Sequence, residues 1–266
     1  MKVRMPAVLA AAITVVLAAV LAGCGGGTSS GPALSGSGDA QQSRTLTVFA
    51  AASLTDTFTA IEKQFETENP GVDVRINFAG SSDLAQQIVN GAPADVFAAA
   101  NDSTMRTVSD AGLVAGTPTV FATNVLQIAT APGNPKGIAS FADLARPDLS
   151  VVVCAPKVPC GSAAQQIEQA TGVTLHPVSE EQDVRSVLGR VQTGNADAGL
   201  VYVTDVRSAG AEVQGVSFPE ADRAVNDYPI ATLTSAPEPD LARKFVDLVT
   251  GDFGTKTLQD AGFGTP

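Results

Sequence analysis

Histidine and broad aromatic side chains are nearly absent from this sequence of 266 residues. His176 is the only histidine, so the chain cannot supply the imidazole cluster of a zinc or manganese receptor, and it has little material for acid–base chemistry near pH 7. It contains no Trp and only two Tyr. This composition disfavours sugar binding, because sugar sites use broad aromatic faces.

Basic residues are also few, with 16 Lys and Arg against 27 Asp and Glu and a net charge of −11. The charge becomes more negative still if Lys2 and Arg4 are removed with a leader. Such a surface repels nucleic-acid phosphates and anionic lipid headgroups. Because 44% of the residues are apolar, the chain is long enough for two packed domains, and we expect disorder only locally.

The N-terminus has the features of a secretory signal. Lys2 and Arg4 precede an apolar run over residues 7–21, which leads to the sequence LAGC ending at Cys24. We predict a signal peptide over residues 1–23 and a lipobox whose cysteine becomes lipidated. The alternative is an uncleaved membrane anchor, because the apolar stretch approaches the length of a membrane span. Both interpretations place the folded part outside the cytoplasmic membrane.

Small and polar residues continue beyond the lipobox, so we predict a flexible tether over residues 24–44. The remaining cysteines, Cys154 and Cys160, are then an isolated pair in an oxidising compartment. We expect them to form a disulfide with each other. The alternative is two free thiols, with Cys154 buried on a strand.

From residue 45 the apolar pattern alternates between strands and helices. The first group consists of strands 45–50, 72–78 and 95–99 and helices 55–65 and 83–89. The second group consists of strands 125–131, 150–153 and 198–203 and helices 162–170 and 183–191. An extended crossing over 228–233 and closing helices over 239–250 and 256–261 follow. This alternation predicts an α/β fold with two mainly parallel sheets covered by helices on both faces.

Four of the predicted helix starts carry small or hydroxyl-bearing residues. They lie at Ser53, at Ser81, at Cys160-Gly161 and at Asp183-Val184. The first amide groups of a helix have no intrahelical acceptor and the helix dipole is positive there, so such a start can bind an oxyanion without a basic side chain. Taken alone, each residue is equally an ordinary helix cap or turn residue. The combination of four starts with an export signal favours anion binding between two lobes.

Several motifs along the chain resemble one known family. They are LTVFAAASLTD from Leu46, FAGSS from Phe78, GAPADVF from Gly91, VPCG from Val158, EQDVR from Glu181, AGLVY from Ala198 and AGF from Ala261. In this order, and over about residues 45–264, they resemble the molybdate-binding proteins of bacterial molybdate ABC transporters.

The resemblance implies a type II periplasmic-binding-protein fold, in which two α/β lobes joined by two crossing strands hold the ligand in a cleft. We expect lobe 1 over residues 45–123 and 233–266 and lobe 2 over residues 124–232. The resemblance also implies a solute receptor rather than an enzyme, without a cofactor. We expect a monomer that delivers molybdate or tungstate to an ABC permease with its cytoplasmic ATPase.

The same resemblance implies five oxyanion-binding residues. They are the hydroxyls of Ser53, Ser81 and Tyr202 and the backbone amides of Cys160 and Val184. Ser82 is the alternative to Ser81 if the register is off by one, and Tyr202 is alternatively a half-buried packing residue. The chain departs from the family pattern at Gly80, where Ser or Ala is frequent, and at Cys160, where Ala is usual, although only the amide of Cys160 is needed.

Charged residues near these motifs have other expected roles. Arg185 is a natural anion contact, but we expect it to pair with an acid such as Asp205. A carboxylate of Asp183 in the cleft would repel an anion, so we interpret Asp183 as a helix cap. His176 precedes a proline in a polar loop, and we expect it at the surface.

Two other function classes remain open at this point. A receptor for sulfate or an amino acid is the first of them, and an amino acid would need a carboxylate for its ammonium group, for which Asp205 with Arg185 could be recruited. The second is a secreted hydrolase with Ser53 or Ser81 as nucleophile and His176 as base. The sequence has no Gly-x-Ser-x-Gly elbow, which disfavours the hydrolase.

Overall fold

The computed structural model describes residues 44–266. The expected signal peptide over 1–23, the lipidated Cys24 and the tether up to residue 43 lie outside the described residues. Arg44, which we expected to end the tether, begins the first strand, and its amide donates to the carbonyl of Gly71 at 3.0 Å. Within the described range, no helix has both the length and the apolar character needed to cross a membrane.

The described residues form ten strands and eight α-helices. The strands are β1 (Arg44–Ala51), β2 (Val72–Ala79), β3 (Val96–Ala98), β4 (Val114–Asn124), β5 (Leu126–Thr130), β6 (Val151–Cys154), β7 (Ser179–Glu181), β8 (Ala198–Tyr202), β9 (Gln214–Val216) and β10 (Asn226–Leu233). The helices are α1 (Thr55–Glu68), α2 (Ser81–Val89), α3 (Asp102–Asp110), α4 (Pro159–Thr171), α5 (Val184–Gln192), α6 (Val203–Ala209), α7 (Pro239–Thr250) and α8 (Asp252–Ala261).

These strands build two five-stranded sheets. The first has the order β2-β1-β3-β10-β4 and the second the order β7-β6-β8-β5-β9. Strand β1 runs parallel to β2 and β3, and β6 runs parallel to β7 and β8, whereas β10 and β5 run antiparallel to their neighbours. The predicted α/β fold with two sheets is confirmed. Each sheet combines a parallel part with antiparallel strands.

The first sheet is packed on both faces because side chains alternate along its strands. On β1, Val48 belongs to the core cluster that contains Phe58 and Phe245, whereas its neighbour Phe49 belongs to a separate cluster with Leu84. A strand buried on both faces has a nearly continuous apolar sequence, as β1 does. The second sheet has its own core, which includes Ile128, Val152, Ile167, Val187 and Leu200.

The chain passes from one sheet to the other and back. Only Val125 separates β4 in the first sheet from β5 in the second. The chain returns after the 3-10 turn Pro219–Arg223 and enters β10, which is hydrogen-bonded to β3 and β4. The expected assignment of residues 226–232 to lobe 2 is therefore corrected, since this strand belongs to the first sheet.

Candidate functional site

A small cavity is lined by residues from both sheets and their helices. The space open to the centre of a water molecule is about 20 Å³, so the cavity suits a compact ligand. The five residues suggested by the sequence all line it. The lining consists of Ala51, Ala52, Ser53, Ala79, Gly80, Ser81, Ala100, Val158, Pro159, Cys160, Gln182, Asp183, Val184 and Tyr202. No Lys, Arg or His of the described chain is among these residues.

The two serines come from neighbouring strands of the first sheet. Strand β1 ends at Ala51, and Ser53 follows in the 3-10 turn Ala52–Leu54, just before α1. Its neighbour β2 ends at Ala79, and Ser81 is the first residue of α2. Because the two strands are parallel, their carboxyl ends lie at the same edge of the sheet. Both serines are buried there and face one cavity.

The second lobe contributes two helix N-termini. Helix α4 begins with Pro159. Proline has no backbone N–H group and is well tolerated at the first position of a helix. Cys160 therefore carries the first backbone amide of α4. Helix α5 begins with Val184. The N-cap Asp183 accepts hydrogen bonds from the amide of Ser186 at 2.9 Å and from its hydroxyl at 2.7 Å. The predicted capping role of Asp183 is thus confirmed, and its carboxylate is bound to its own helix.

A disulfide joins Cys154, at the end of β6, to Cys160, with the two Cα atoms 5.6 Å apart. The expected pairing of these cysteines is confirmed. Gly161 makes the tight turn possible, because a Cβ there would lie 1.9 Å from the carbonyl oxygen of Ala155. The disulfide and the glycine together hold the start of α4 against the end of β6.

The serine hydroxyls have hydrogen-bond partners behind the cavity wall. The amide of Ala100 donates to Ser81 Oγ at 3.1 Å, so the hydroxyl proton of Ser81 is available to an acceptor elsewhere. Ser53 Oγ lies 3.0 Å from the hydroxyl oxygen of Tyr228, and either group can donate in that pair. If Tyr228 donates, the proton of Ser53 is likewise available. A serine that accepts from the protein and donates into a cavity suits an anion.

Tyr202 ends β8 and is almost fully buried, at 1% exposure, rather than half-buried. Its hydroxyl oxygen makes no hydrogen bond of good geometry within residues 44–266, although the Tyr228 side chain lies beside it. Burial raises the pKa of Tyr202 well above its usual value, and the nearby Tyr228 and Asp205 raise it further. The group is therefore a neutral O–H donor over the whole working pH range, and an unpaired buried hydroxyl at a cavity is suited to a ligand.

Arg185 does not line the cavity; it bridges two carboxylates beside it. Its Nε lies 3.0 Å from Oδ1 of Asp205, so the expected pairing is confirmed. Its Nη2 lies 2.5 Å from Oδ2 of Asp56 on α1 of the first lobe. Asp205 is fully buried and also accepts from the amide of Tyr202 at 3.0 Å. Burial raises the pKa of Asp205 to about 6, while the charge of Arg185 opposes that shift.

The two lobes touch directly at the cavity, which the sequence did not indicate. A Cβ on Gly80 would lie 2.3 Å from the carbonyl oxygen of Gln182 in the second lobe. The hydroxyl of Ser82 donates to the carbonyl of Lys157 at 2.9 Å, which is a second direct link. Ser82 is thus used between the lobes and does not line the cavity. The sequence showed that this chain has Gly80 where the family frequently has Ser or Ala. The structure gives the reason, which is the close approach of the Gln182 carbonyl.

His176 is exposed, as expected, and is not part of the cavity wall. No histidine of the described chain therefore stands beside Ser53 or Ser81. A serine nucleophile needs a base within hydrogen-bond reach. The geometry gives no support to the hydrolase alternative.

Residues 46–264 match the family described as bacterial extracellular solute-binding protein. The chain belongs to this family. Its relatives are solute-binding proteins of transporters and not enzymes. The solute-binding protein described here therefore acts outside the cytoplasm by binding a solute.

Three relatives illustrate the similarity. The solute-binding protein is 54% identical to "Molybdate-binding protein ModA" of Mycobacterium tuberculosis (strain ATCC 25618 / H37Rv), over 96% of each chain. It is 32% identical to the protein of the same name from Escherichia coli (strain K12), over 82% of this chain and 88% of the other. The solved periplasmic molybdate-binding protein of Azotobacter vinelandii matches with a TM-score of 0.73 at 23% identity, covering 83% and 99% of the two chains. These matches confirm the resemblance and the periplasmic-binding-protein fold.

Proposed function

We propose that this solute-binding protein captures molybdate, with tungstate as an equivalent ligand, and delivers it to an ABC permease driven by a cytoplasmic ATPase. The observation that carries the proposal is that five neutral donors from both lobes line one small cavity. These are Ser53, Ser81, Cys160, Val184 and Tyr202. The names of the relatives, which give molybdate as the ligand, support the same ligand class.

Neutral donors can hold a dianion in such a cavity. Each hydrogen bond to a charged group contributes about 1.5–3 kcal/mol, offset by desolvation, lost freedom and lobe closure. The N-termini of α4 and α5 add the positive ends of two helix dipoles. We expect a net binding free energy of about −8 to −11 kcal/mol, which corresponds to dissociation constants from about micromolar to ten nanomolar.

A lining of donors selects the fully deprotonated ion. A ligand that keeps its own proton, such as hydrogen phosphate, needs an acceptor, and an unpaired O–H group in a buried site costs binding energy. The one carboxylate of the lining, that of Asp183, is engaged by Ser186. Hydrogen phosphate should therefore bind poorly.

The size of the cavity limits the ligand to a compact ion. The oxygens of a tetrahedral oxyanion lie one bond length from the central atom, so their centres fit the roughly 20 Å³ that the cavity offers. An amino acid would need a free carboxylate for its ammonium group, and the one carboxylate of the lining, that of Asp183, is engaged by Ser186, which argues against that alternative. Sulfate has shorter bonds than molybdate, so a rigid ring of donors cannot contact all its oxygens equally well.

We further propose that lipidated Cys24 anchors the mature protein to the outer face of the cytoplasmic membrane and that the protein works as a monomer. The support is the sequence of the leader, with its apolar run and the LAGC motif. If Cys24 is lipidated, Cys24→Ser should release the protein from membranes or leave an uncleaved precursor. Soluble secretion of the unmodified protein would contradict the anchor.

Calorimetric titration of residues 44–266 with molybdate, tungstate, sulfate and phosphate tests the ligand. We expect molybdate and tungstate to bind at least about 100-fold more tightly than sulfate, a difference of about 2.7 kcal/mol. Phosphate should show weaker binding still. Comparable affinity for sulfate and molybdate would overturn the proposal and make the protein a sulfate receptor.

A further inference from the structure

Two side chains on the return strand β10 stand directly behind the two serines of the site. Asn226 and Tyr228 are two residues apart on this strand, so they project from the same face. Both are buried, at 5% and 0% exposure. Neither lines the cavity itself, so any effect on a ligand must pass through other residues.

Tyr228 is connected to Ser53. Its hydroxyl oxygen lies 3.0 Å from Ser53 Oγ, and its ring is held edge-on by Phe121, Phe263 and Tyr202, with centroids 5.3 to 6.3 Å away. The ring therefore has one fixed position, and so has its hydroxyl. Burial raises the pKa of Tyr228 well above its usual value, so the group remains a neutral hydroxyl that can donate to Ser53.

Asn226 is connected to Ser81 through one backbone residue. Its Nδ2 donates to the carbonyl of Ala100 at 2.7 Å, and the amide of Ala100 donates to Ser81 Oγ at 3.1 Å. Ala100 lies beyond the end of β3, where the last backbone link to β10 runs from the amide of Ala99 to Pro229. The Asn226 side chain thus continues the connection to β10 after the strand pairing has ended.

We propose that Asn226 and Tyr228 are positioning residues that direct the hydroxyl protons of Ser81 and Ser53 into the cavity. A serine hydroxyl rotates freely unless its acceptor side is occupied, and a donor behind it leaves its own proton for the ligand. Each residue of the pair serves one serine. The strand that returns the chain from the second lobe thereby sets the direction of both first-lobe donors.

A double-mutant cycle tests this inference, which rests on the proposed function. Tyr228→Phe should weaken molybdate binding about three- to tenfold, and it should have no further effect in a Ser53→Ala background. Asn226→Ala should likewise weaken molybdate binding in the wild type, and it should have no further effect in a Ser81→Ala background. The crossed pairs, Tyr228→Phe with Ser81→Ala and Asn226→Ala with Ser53→Ala, should show additive losses.

A structural control separates positioning from general destabilisation. Thr130→Val removes another buried hydroxyl, which donates to backbone carbonyls in the second sheet, and should leave affinity unchanged. The inference is overturned if Tyr228→Phe retains wild-type affinity for molybdate. It is also overturned if Tyr228→Phe weakens binding as much in the Ser53→Ala background as it does in the wild type. Either result leaves molybdate binding by the wild type, and hence the proposed function, intact.

Two ligand-free measurements decide the inference even if the wild type binds no molybdate. Amide hydrogen exchange at Ala100 should be at least about tenfold faster in Asn226→Ala than in the wild type, because Ala100 loses its support. In a crystal structure of Tyr228→Phe, Ser53 should populate more than one side-chain rotamer. Unchanged exchange at Ala100 and a single unchanged Ser53 rotamer would overturn the inference.

Discussion

At the scale of single residues, the proposed site combines two backbone amides with three hydroxyls whose protons can face a ligand. Ser81 accepts from the amide of Ala100 and both residues are buried, so its alanine variant removes one donor to the ligand and also leaves that amide without its acceptor. The same holds for Ser53, with Tyr228 behind it. We therefore expect each serine variant to weaken binding and also to lower the unfolding free energy by about 1–3 kcal/mol.

Ser53→Ala and Ser81→Ala should each weaken molybdate binding by about 1.5–3 kcal/mol, because each removes one donor to a charged group. Calorimetric titration measures the change, and thermal unfolding without ligand checks the fold. Ser82→Ala is the matched control, because it tests whether Ser81 rather than Ser82 is the donor. The hydroxyl of Ser82 is bound to the carbonyl of Lys157, so this variant should weaken molybdate binding by about 1 kcal/mol or less. Unchanged affinity in both serine variants would place the site elsewhere.

At Gly80 the two lobes approach closely in the cavity wall. Its φ of −57° suits any residue, but a Cβ would lie 2.3 Å from the Gln182 carbonyl oxygen. Gly80→Ala should therefore weaken molybdate binding at least about tenfold, roughly 1.4 kcal/mol, with little loss of stability in the ligand-free protein.

Gly189→Ala on α5 is the control for this variant, because a Cβ there meets no atom within 4 Å. It should leave affinity unchanged and stabilise the helix by about 1 kcal/mol. Titration of both variants gives the comparison. Wild-type affinity in Gly80→Ala would show that the contact with Gln182 is not needed in the bound state.

Asp205 should give the protein a distinctive pH dependence. Burial raises its pKa from 3.8 to about 6, so the folded state keeps this proton to a higher pH than the unfolded chain does. Its contribution to stability is then full below pH 3.8 and is lost as the pH rises to about 6. Relative to Asp205→Asn, the wild type should lose about 3 kcal/mol of unfolding free energy across this window. Denaturant unfolding at several pH values measures the difference, and a flat difference would contradict the assignment.

At the scale of elements, local patterns predicted the helix starts but not the whole sheet order. The apolar sequences of β1 and β8, the helix start at Ser81 and the cap at Asp183 are local signals, and each was found where expected. Helix α3 was missed, because its buried face consists of only three residues on an otherwise polar segment. Strand β4 was missed because most of its first seven residues are partly or fully exposed.

The residues behind the site could not be predicted from the sequence. Asn226 lies 126 positions from Ala100, and Tyr228 lies 175 positions from Ser53, so no periodicity or spacing connects them. Such contacts depend on which strands pair across the sheet, and β10 had been assigned to the other lobe. The five candidate donors came from the family resemblance, and four of them lie at helix starts or in a turn that follows a strand.

The Cys154–Cys160 disulfide should matter more for binding than for stability. The loop that it closes is short, so the chain-entropy model gives about 2 kcal/mol of stabilisation. The disulfide also fixes the turn that carries the amide of Cys160, so less ordering is needed when the ion binds. After reduction, molybdate affinity should fall by a larger factor than expected from the loss of thermal stability. An unchanged affinity would confine the disulfide to a structural role.

At the scale of the whole molecule, the binding energy must hold two lobes together around one ion. Apart from the cavity, Arg185 links α5 to Asp56 on α1, and the hydroxyl of Ser208 donates to the same carboxylate at 2.6 Å. The Asp56 side chain is 58% exposed, and exposed ion pairs contribute only about 0–1 kcal/mol. This link alone is therefore weak, and we expect the ligand to add to the energy that holds the lobes together.

The most direct test of the account is a crystal structure of residues 44–266 grown with molybdate, with anomalous scattering used to locate molybdenum. We predict one anomalous peak inside the cavity, with its oxygens within hydrogen-bond distance of the hydroxyls of Ser53, Ser81 and Tyr202 and the amides of Cys160 and Val184. No basic side chain should contact the ion. A peak outside this cavity, or an oxyanion held by Arg185, would contradict the account.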